Sequence, residues 1–289
     1  MKRNYTRYLT CLALWLLAHS LQAQYSFSVN ERMRDDFVTI FDLSKNGYSY
    51  GHAIWMDRSR SDKKIKAKYF ASGNVYQQYL AWKGNKDIIL VSSGAYSSTY
   101  NTATGIPVGL CVDNGKIVNR AITNEMDGLV IVEAVGGVRV SDIEKRDLYL
   151  RSLGKKINPI SDKYELLNWG VSENATIFQT HLLVYSNQLK CKPVSQTSNR
   201  GMLVLATNKQ NEVMHILFEI NSNVTLYNAA SDILASLRNR SLDVVGIMNL
   251  DRGFYDILEV YNDYGRNVGY LSGPKSVATA TNLLVYYYE

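Results

Sequence analysis

The chain has 289 residues, 46% of them hydrophobic and 20% charged, with 4 prolines and 3 cysteines. These values exclude a disordered or collagen-like polymer and a disulfide scaffold, and they leave enough chain for a sizeable core. The formal net charge is +6, and 21 tyrosines stand against 7 phenylalanines, a balance that favours strands and polar-tipped aromatic surfaces.

Residues 1–23 read as a secretory signal: a basic start, an apolar run over 9–18, and Leu21-Gln22-Ala23 as a small-residue cleavage site after Ala23. The run is too short to span a bilayer, and no later stretch approaches about eighteen consecutive apolar residues, so no integral membrane segment is expected in the mature chain. Losing Lys2, Arg3 and Arg7 with the signal takes the formal charge from +6 to +3. Nucleic-acid binding then loses its electrostatic motive. Cys11 lies inside the signal rather than at its end, which argues against a lipid anchor. The expectation is an exported, periplasmic or secreted, protein whose residues 24–289 form one domain.

An irregular segment is expected first, then a strand over 50–56 and a solvated, basic loop or hairpin tip over 57–68. Val75, Tyr79 and Leu80 suggest a short helix over 74–82, and the apolar run 87–91 a buried strand. Asn114-Gly115 between two strand-like runs, 107–112 and 116–120, is a strong hairpin signal. Gly136-Gly137 marks another hairpin, between 128–135 and 138–140. Residues 144–175 look helical and polar. A hairpin over 202–206 and 213–220 follows. Leu226, Ala229, Ala230, Ile233, Leu234 and Leu237 then form one apolar helix face, with Thr225 as its cap and Arg238 and Arg240 at its end. A buried strand over 242–250, a hairpin over 257–261 and 268–271, and a closing strand over 283–288 complete the order. The fold class is α+β: a hairpin-rich mixed or antiparallel sheet with a few packed helices in a single domain.

The two mature cysteines, Cys111 and Cys191, are free to pair or not, and Cys111 reads as a buried thiol in an apolar stretch. His52, His181 and His215 are scattered and read as structural. No zinc spacing occurs and no cofactor is expected, although a divalent metal on carboxylates leaves little trace in sequence. Chemistry is expected where buried strands hand over to polar loops. One such place is 92–96, whose small residues let a ligand approach the backbone. A second is Asn249-Leu250-Asp251-Arg252-Gly253-Phe254-Tyr255-Asp256, directly after an apolar strand. The third is Arg200, ahead of a buried strand.

The order SSGAY, PVGL with DNG, DGLVIV, FQTHLLV, Arg200 before MLVLAT, the helix from Leu226, NLDRG and TNLLVYY resembles the phosphodiester glycosidase family over roughly residues 50–289. The resemblance implies a site built from Ser93, Gly94 and Tyr96 in the first turn, Arg200, Asn249, Asp251 and Gly253 in the loop, and Asn282 before the last strand. Asp251, Arg200 and Asn249 are implied as catalytic. Ser93, Gly94, Tyr96, Arg252, Gly253 and Asn282 are implied as substrate-binding. Four features depart from the family pattern: Ser93 stands for an asparagine, Arg252 for a glycine, Phe254 and Tyr255 for small residues, and Lys275 is the nearest basic residue to the one expected before Asn282.

The implied reaction is cleavage of a sugar 1-phosphodiester. The departing phosphate is weakly basic and needs little acid help, but it needs a cation to hold it. Arg200 and Arg252 suit that role. Asp251 would serve as nucleophile, base or oxocarbenium stabiliser, and a cation at Arg252 is expected to lower its pKa. A non-catalytic module that binds a glycan or an envelope polymer on the same scaffold is the alternative, motivated by Ser93, Arg252, Phe254 and Tyr255.

Overall fold

The computed structural model describes residues 27–56, 63–99, 105–193, 195, 197, 200–221, 223–252, 256–271 and 273–289. The expected signal and residues 57–62 of the basic loop lie outside them. From the amino end the described elements are β1 (Ser28–Arg34), β2 (Val38–Lys45), β3 (Tyr48–Met56), β4 (Ile65–Phe70), α1 (Val75–Lys83) and β5 (Asp87–Ser92). Then come β6 (Cys111–Asp113), β7 (Lys116–Asn119), β8 (Gly128–Val132), β9 (Val138–Asp142), β10 (Leu148–Leu150), β11 (Lys155–Ile157) and α2 (Lys163–Ser172). The remainder is β12 (Thr176–Tyr185), β13 (Gln188–Leu189), β14 (Arg200–Thr207), β15 (Val213–Ile220), α3 (Leu226–Asn239), β16 (Asp243–Leu250), β17 (Leu258–Val260) and β18 (Leu283–Tyr288).

A 12-stranded sheet runs in the order β1-β2-β3-β15-β14-β16-β12-β6-β7, with β8 and β13 also on β12 and β9 on β8. A second sheet of four strands has the order β17-β5-β18-β4. The pairings among the described strands are antiparallel, as in the β14–β15 hairpin with Arg200 opposite Ile220 and Thr207 opposite Val213.

The apolar runs are continuous because both faces of these sheets are covered. In β18, Leu284, Tyr286 and Tyr288 enter the central core with Ile40, Ile54, Leu203, Leu217 and Met248 of the large sheet. Leu283, Val285 and Tyr287 alternate to the other face and meet Val75 and Tyr79 of α1. The large sheet divides the same way. Leu203 and Leu205 face the four-stranded sheet, while Met202, Val204 and Ala206 lie under Ala229, Ile233 and Leu237 of α3. Alternation with period two therefore builds a layered helix–sheet–sheet–helix stack.

Local chemistry sets the element ends. Asn74 caps α1 through Gln77 N–H, and Thr225 caps α3 through Asn228 N–H. Asn114 and Gly115 both take positive φ, 48° and 78°, to turn β6 into β7.

Four expectations need correction. The basic stretch over 57–68 is not loop throughout: Ile65–Lys68 belong to β4 and pair with β18, with Ile65 and Ala67 in the core. The segment before residue 50 is not irregular, because β1 and β2 precede β3 and continue the large sheet. Val38 and Ile40 face the core, and Asn46-Gly47, with φ of 54° and 81°, makes the β2–β3 turn. Residues 144–175 are not mainly helical: β10 and β11 pair there, and α2 begins only at Lys163. The expected strand over 268–271 is a bridge at Asn267 followed by a 3-10 turn, Gly269–Leu271. Val268 and Leu271 reach the core at a spacing of three, which suits a turn rather than a strand.

Cys111 is buried with its thiol held well above the usual value by burial, Cys191 is half-buried, and the two are not bonded. Among the described residues no helix is long and apolar enough to cross a membrane.

Gly51, in β3, has φ of +141°, and a Cβ there would lie 2.0 Å from the Glu219 carbonyl oxygen of β15. Neither backbone can yield without breaking the ladder, so Gly51→Ala is expected to destabilise the fold by about 3 kcal/mol or more. Urea unfolding measures this, and an unchanged midpoint contradicts the close approach.

Candidate functional site

Three strand ends meet at one end of the stack: β5 running into Ser93, β16 running into Asp251, and β18 starting after Asn282. The Ser93 hydroxyl donates to the Asp251 carbonyl, and Asp251 N–H returns a bond to Gly94 O at 3.0 Å. Ser93 N–H donates to Ile257 O at 3.2 Å. The large sheet is thus stitched to the small one through main-chain groups that follow β16.

Asn282 ties in the third segment. Its Oδ1 accepts from Gly94 N–H at 3.0 Å and from Ala95 N–H at 2.9 Å. Its Nδ2 donates to Ala95 O at 2.8 Å and to Ser97 Oγ at 3.1 Å. One amide therefore satisfies the buried backbone of a turn 188 residues away in sequence. Gly94 is required for packing: a Cβ there would lie 2.8 Å from the ring of Tyr69 and 3.1 Å from Asn282 Oδ1.

Asn249 is 1% exposed. Its Nδ2 donates to the Tyr96 hydroxyl, and its carbonyl accepts from Thr180 Oγ1. Its Oδ1 is buried without a hydrogen-bond partner among the described residues. Tyr96 packs edge-on against His181, with ring centroids 5.3 Å apart, and His181 is the register partner of Asn249 across β12 and β16. His181 also lines a cleft of about 570 Å³ with Asp127, Glu144, Lys190, Cys191 and Lys192.

Asp251 is 2% exposed. Burial raises its carboxyl pKa from 3.8 to about 6, opposed by a hydrogen bond from the Ser97 backbone. This reverses the expectation that Arg252 lowers it. The physical reason is visible in the structure: the Arg252 guanidinium is turned to Glu219, at 3.3 Å, and to Asp256. Arg252 is 1% exposed, and its guanidinium is held by protein carboxylates rather than presented to a phosphate.

Arg200 opens β14 opposite Ile220 of β15, next to the Gly201–Leu250 pair. Its side chain, and Gly253, Phe254 and Tyr255, lie outside the described residues. The structure thus brings Ser93, Gly94, Tyr96, Asn249, Asp251 and Asn282 together and sets Arg252 behind them.

Sequence reasoning did not single out Ser97 or Tyr69, and it named His181, the ring neighbour of Tyr96, only as structural. Tyr69 is fully buried, and its phenol is held well above the ordinary value by burial first, with Cys111, Asp113 and Asp251 adding to it. Nothing in the spacing of His181 marks it in the sequence. Among the described residues, no three His, Cys, Asp or Glu side chains gather as a metal-ligand set.

No family model matches the chain, and no curated protein matches it. Among solved structures it is similar to the zebrafish N-acetylglucosamine-1-phosphodiester α-N-acetylglucosaminidase catalytic domain auto-inhibited by its pro-peptide. The TM-score is 0.48 at 14% identity, over 91% of this chain and 88% of that one. A hypothetical protein from Synechocystis is similar with a TM-score of 0.48 at 9% identity, over 91% of this chain and 64% of that one.

Two outcomes follow from the geometry. Asn282→Ala leaves two buried N–H groups and one carbonyl without their partner, and is expected to destabilise the fold by about 2–4 kcal/mol in urea unfolding; a loss below about 1 kcal/mol would contradict the role given to this amide. Asp251 binds its proton more tightly folded than unfolded, so its contribution declines as pH rises from about 4 to about 6. A rise from 3.8 to about 6 corresponds to about 3 kcal/mol lost across that window. Asp251→Asn should match the parent near pH 4 and exceed its stability at pH 7. Identical pH dependence in the two proteins would show that the carboxyl is not held neutral by burial.

Proposed function

We propose that this protein is an exported hydrolase that cleaves the glycosidic bond of a sugar 1-phosphodiester. The observation that supports this most is the Asp251 carboxyl. It is buried at a strand end, pushed up to about 6, and held in a polar cluster drawn from three distant segments. Fold stability gains nothing from a carboxyl raised in this way, and perturbed carboxylates of this kind gather at reactive sites.

In this reading the phosphate leaves as a weakly basic anion, so the protein supplies no strong acid. Asp251 acts in its ionised form at the anomeric carbon, as nucleophile, base or stabiliser of the oxocarbenium charge. Arg200 binds the departing phosphate. The Oδ1 of Asn249, without a partner among the described residues, accepts from a sugar hydroxyl, and Tyr96 faces the sugar. Ser93, Gly94 and Asn282 hold the turn that carries Tyr96.

A glycan-binding role without turnover is the second reading. It is favoured by one observation: the Ser93 hydroxyl and the Arg252 guanidinium are already engaged within the protein.

Purified mature protein is expected to release sugar from a panel of sugar 1-phosphodiesters and nucleotide sugars. The rate should rise as pH passes through about 6. Asp251→Asn should reduce kcat at least about 100-fold while the protein remains folded, and Arg200→Ala should raise KM for the charged substrates. Binding by calorimetry with no turnover of any member would select the second reading. Full activity in Asp251→Asn would remove Asp251 from the site.

A further inference from the structure

We infer that Arg252 is a positioning residue: a buried strut that pins the loop after β16 to β15 and so keeps the Asp251 side chain in its enclosed place. The inference rests on the site proposed above, but its geometry stands apart from any substrate. Arg252 N–H donates to Leu250 O at 2.8 Å, which folds the chain sharply at Asp251. The aliphatic part of the side chain then crosses β14 at the one position without a Cβ. An added Cβ on Gly201 would lie 2.4 Å from Arg252 Cδ and 2.8 Å from Cγ. Beyond Gly201 the Nη2 atom reaches Glu219 Oε1 at 3.3 Å on β15, and the same atom donates to Asp256, where the loop returns. One side chain therefore joins positions 252 and 256 and fastens both to the next strand but one.

A cation is an expensive way to fill this space. Two of its donors, Nε and Nη1, are buried with no hydrogen-bond partner among the described residues. A hydrophobic side chain of similar volume would pack there without that penalty. What the guanidinium provides and a hydrophobe does not is directional attachment to two carboxylates. Those carboxylates also disqualify Arg252 as the phosphate ligand: with Glu219 and Asp256 both on it, the local charge is already negative, which leaves phosphate recognition to Arg200.

The test reads the Asp251 carboxyl directly, by carbon-13 NMR titration of aspartate-labelled protein, with the signal assigned through Asp251→Asn. The double variant Arg252→Met, Asp256→Asn removes the strut without leaving Asp256 buried as an uncompensated charge. If Arg252 positions the loop, the loosened site hydrates and the Asp251 midpoint falls from about 6 by at least one pH unit. An upward move would show that Arg252 acts on Asp251 as a nearby charge, and an unchanged midpoint would show no coupling; either overturns the inference. Glu219→Ala, which removes one anchor from a partly exposed position, should give a smaller fall and serves if the double variant does not fold. There too, an unchanged midpoint overturns it. Absence of sugar-phosphodiester hydrolysis by the parent would remove the proposed activity and leave this comparison standing.

Discussion

The structure depends on a hydrogen-bonded seam between two sheets at the point where both run out of strand. Antiparallel ladders satisfy backbone groups only along their length, and the ends of buried strands are left with donors and acceptors far from water. Here β5, β16 and β18 all end or begin in the same buried region. The Asn282 amide and the reciprocal Ser93–Asp251–Gly94 contacts supply the missing partners. Without them the turn after β5 would carry unsatisfied groups in the core, and the layers would have no reason to meet at a fixed register.

Chemistry follows from the same constraint. The seam is made of main-chain groups and small side chains, and Asp251 is buried beside it. Its carboxyl finds one backbone hydrogen bond and little water, so it stays protonated to unusually high pH. The guanidinium next to it in sequence does not intervene, because its direction is set by Gly201, Glu219 and Asp256. Adjacent residues in a chain that turns sharply can belong to different electrostatic environments, and Asp251 and Arg252 do.

Much of this was legible in the residues. The helix from Leu226, the Asn114-Gly115 turn and the apolar strands were readable because period and turn chemistry are local. The site segments were readable as polar loops after buried strands. Other features were not. β1 and β2 escaped because their outer residues are mixed, although Asn46-Gly47 carried the same turn signal used at Asn114-Gly115. The 3-10 turn at Gly269–Leu271 escaped because two apolar residues three apart also fit a short strand. The orientation of Arg252 was out of reach, since it depends on a missing Cβ in β14 and a carboxylate in β15. The role of Asn282 was visible only as a position, because its partners lie at the other end of the chain.

The central claim is that this seam frames a sugar-phosphate site around Asp251. It is tested most directly by a crystal structure of the Asp251→Asn protein soaked with a sugar 1-phosphodiester. The account predicts the sugar against Tyr96, with its anomeric carbon facing residue 251 and its phosphate on Arg200. A ligand seated elsewhere, with residue 251 still sealed from it, would contradict the account.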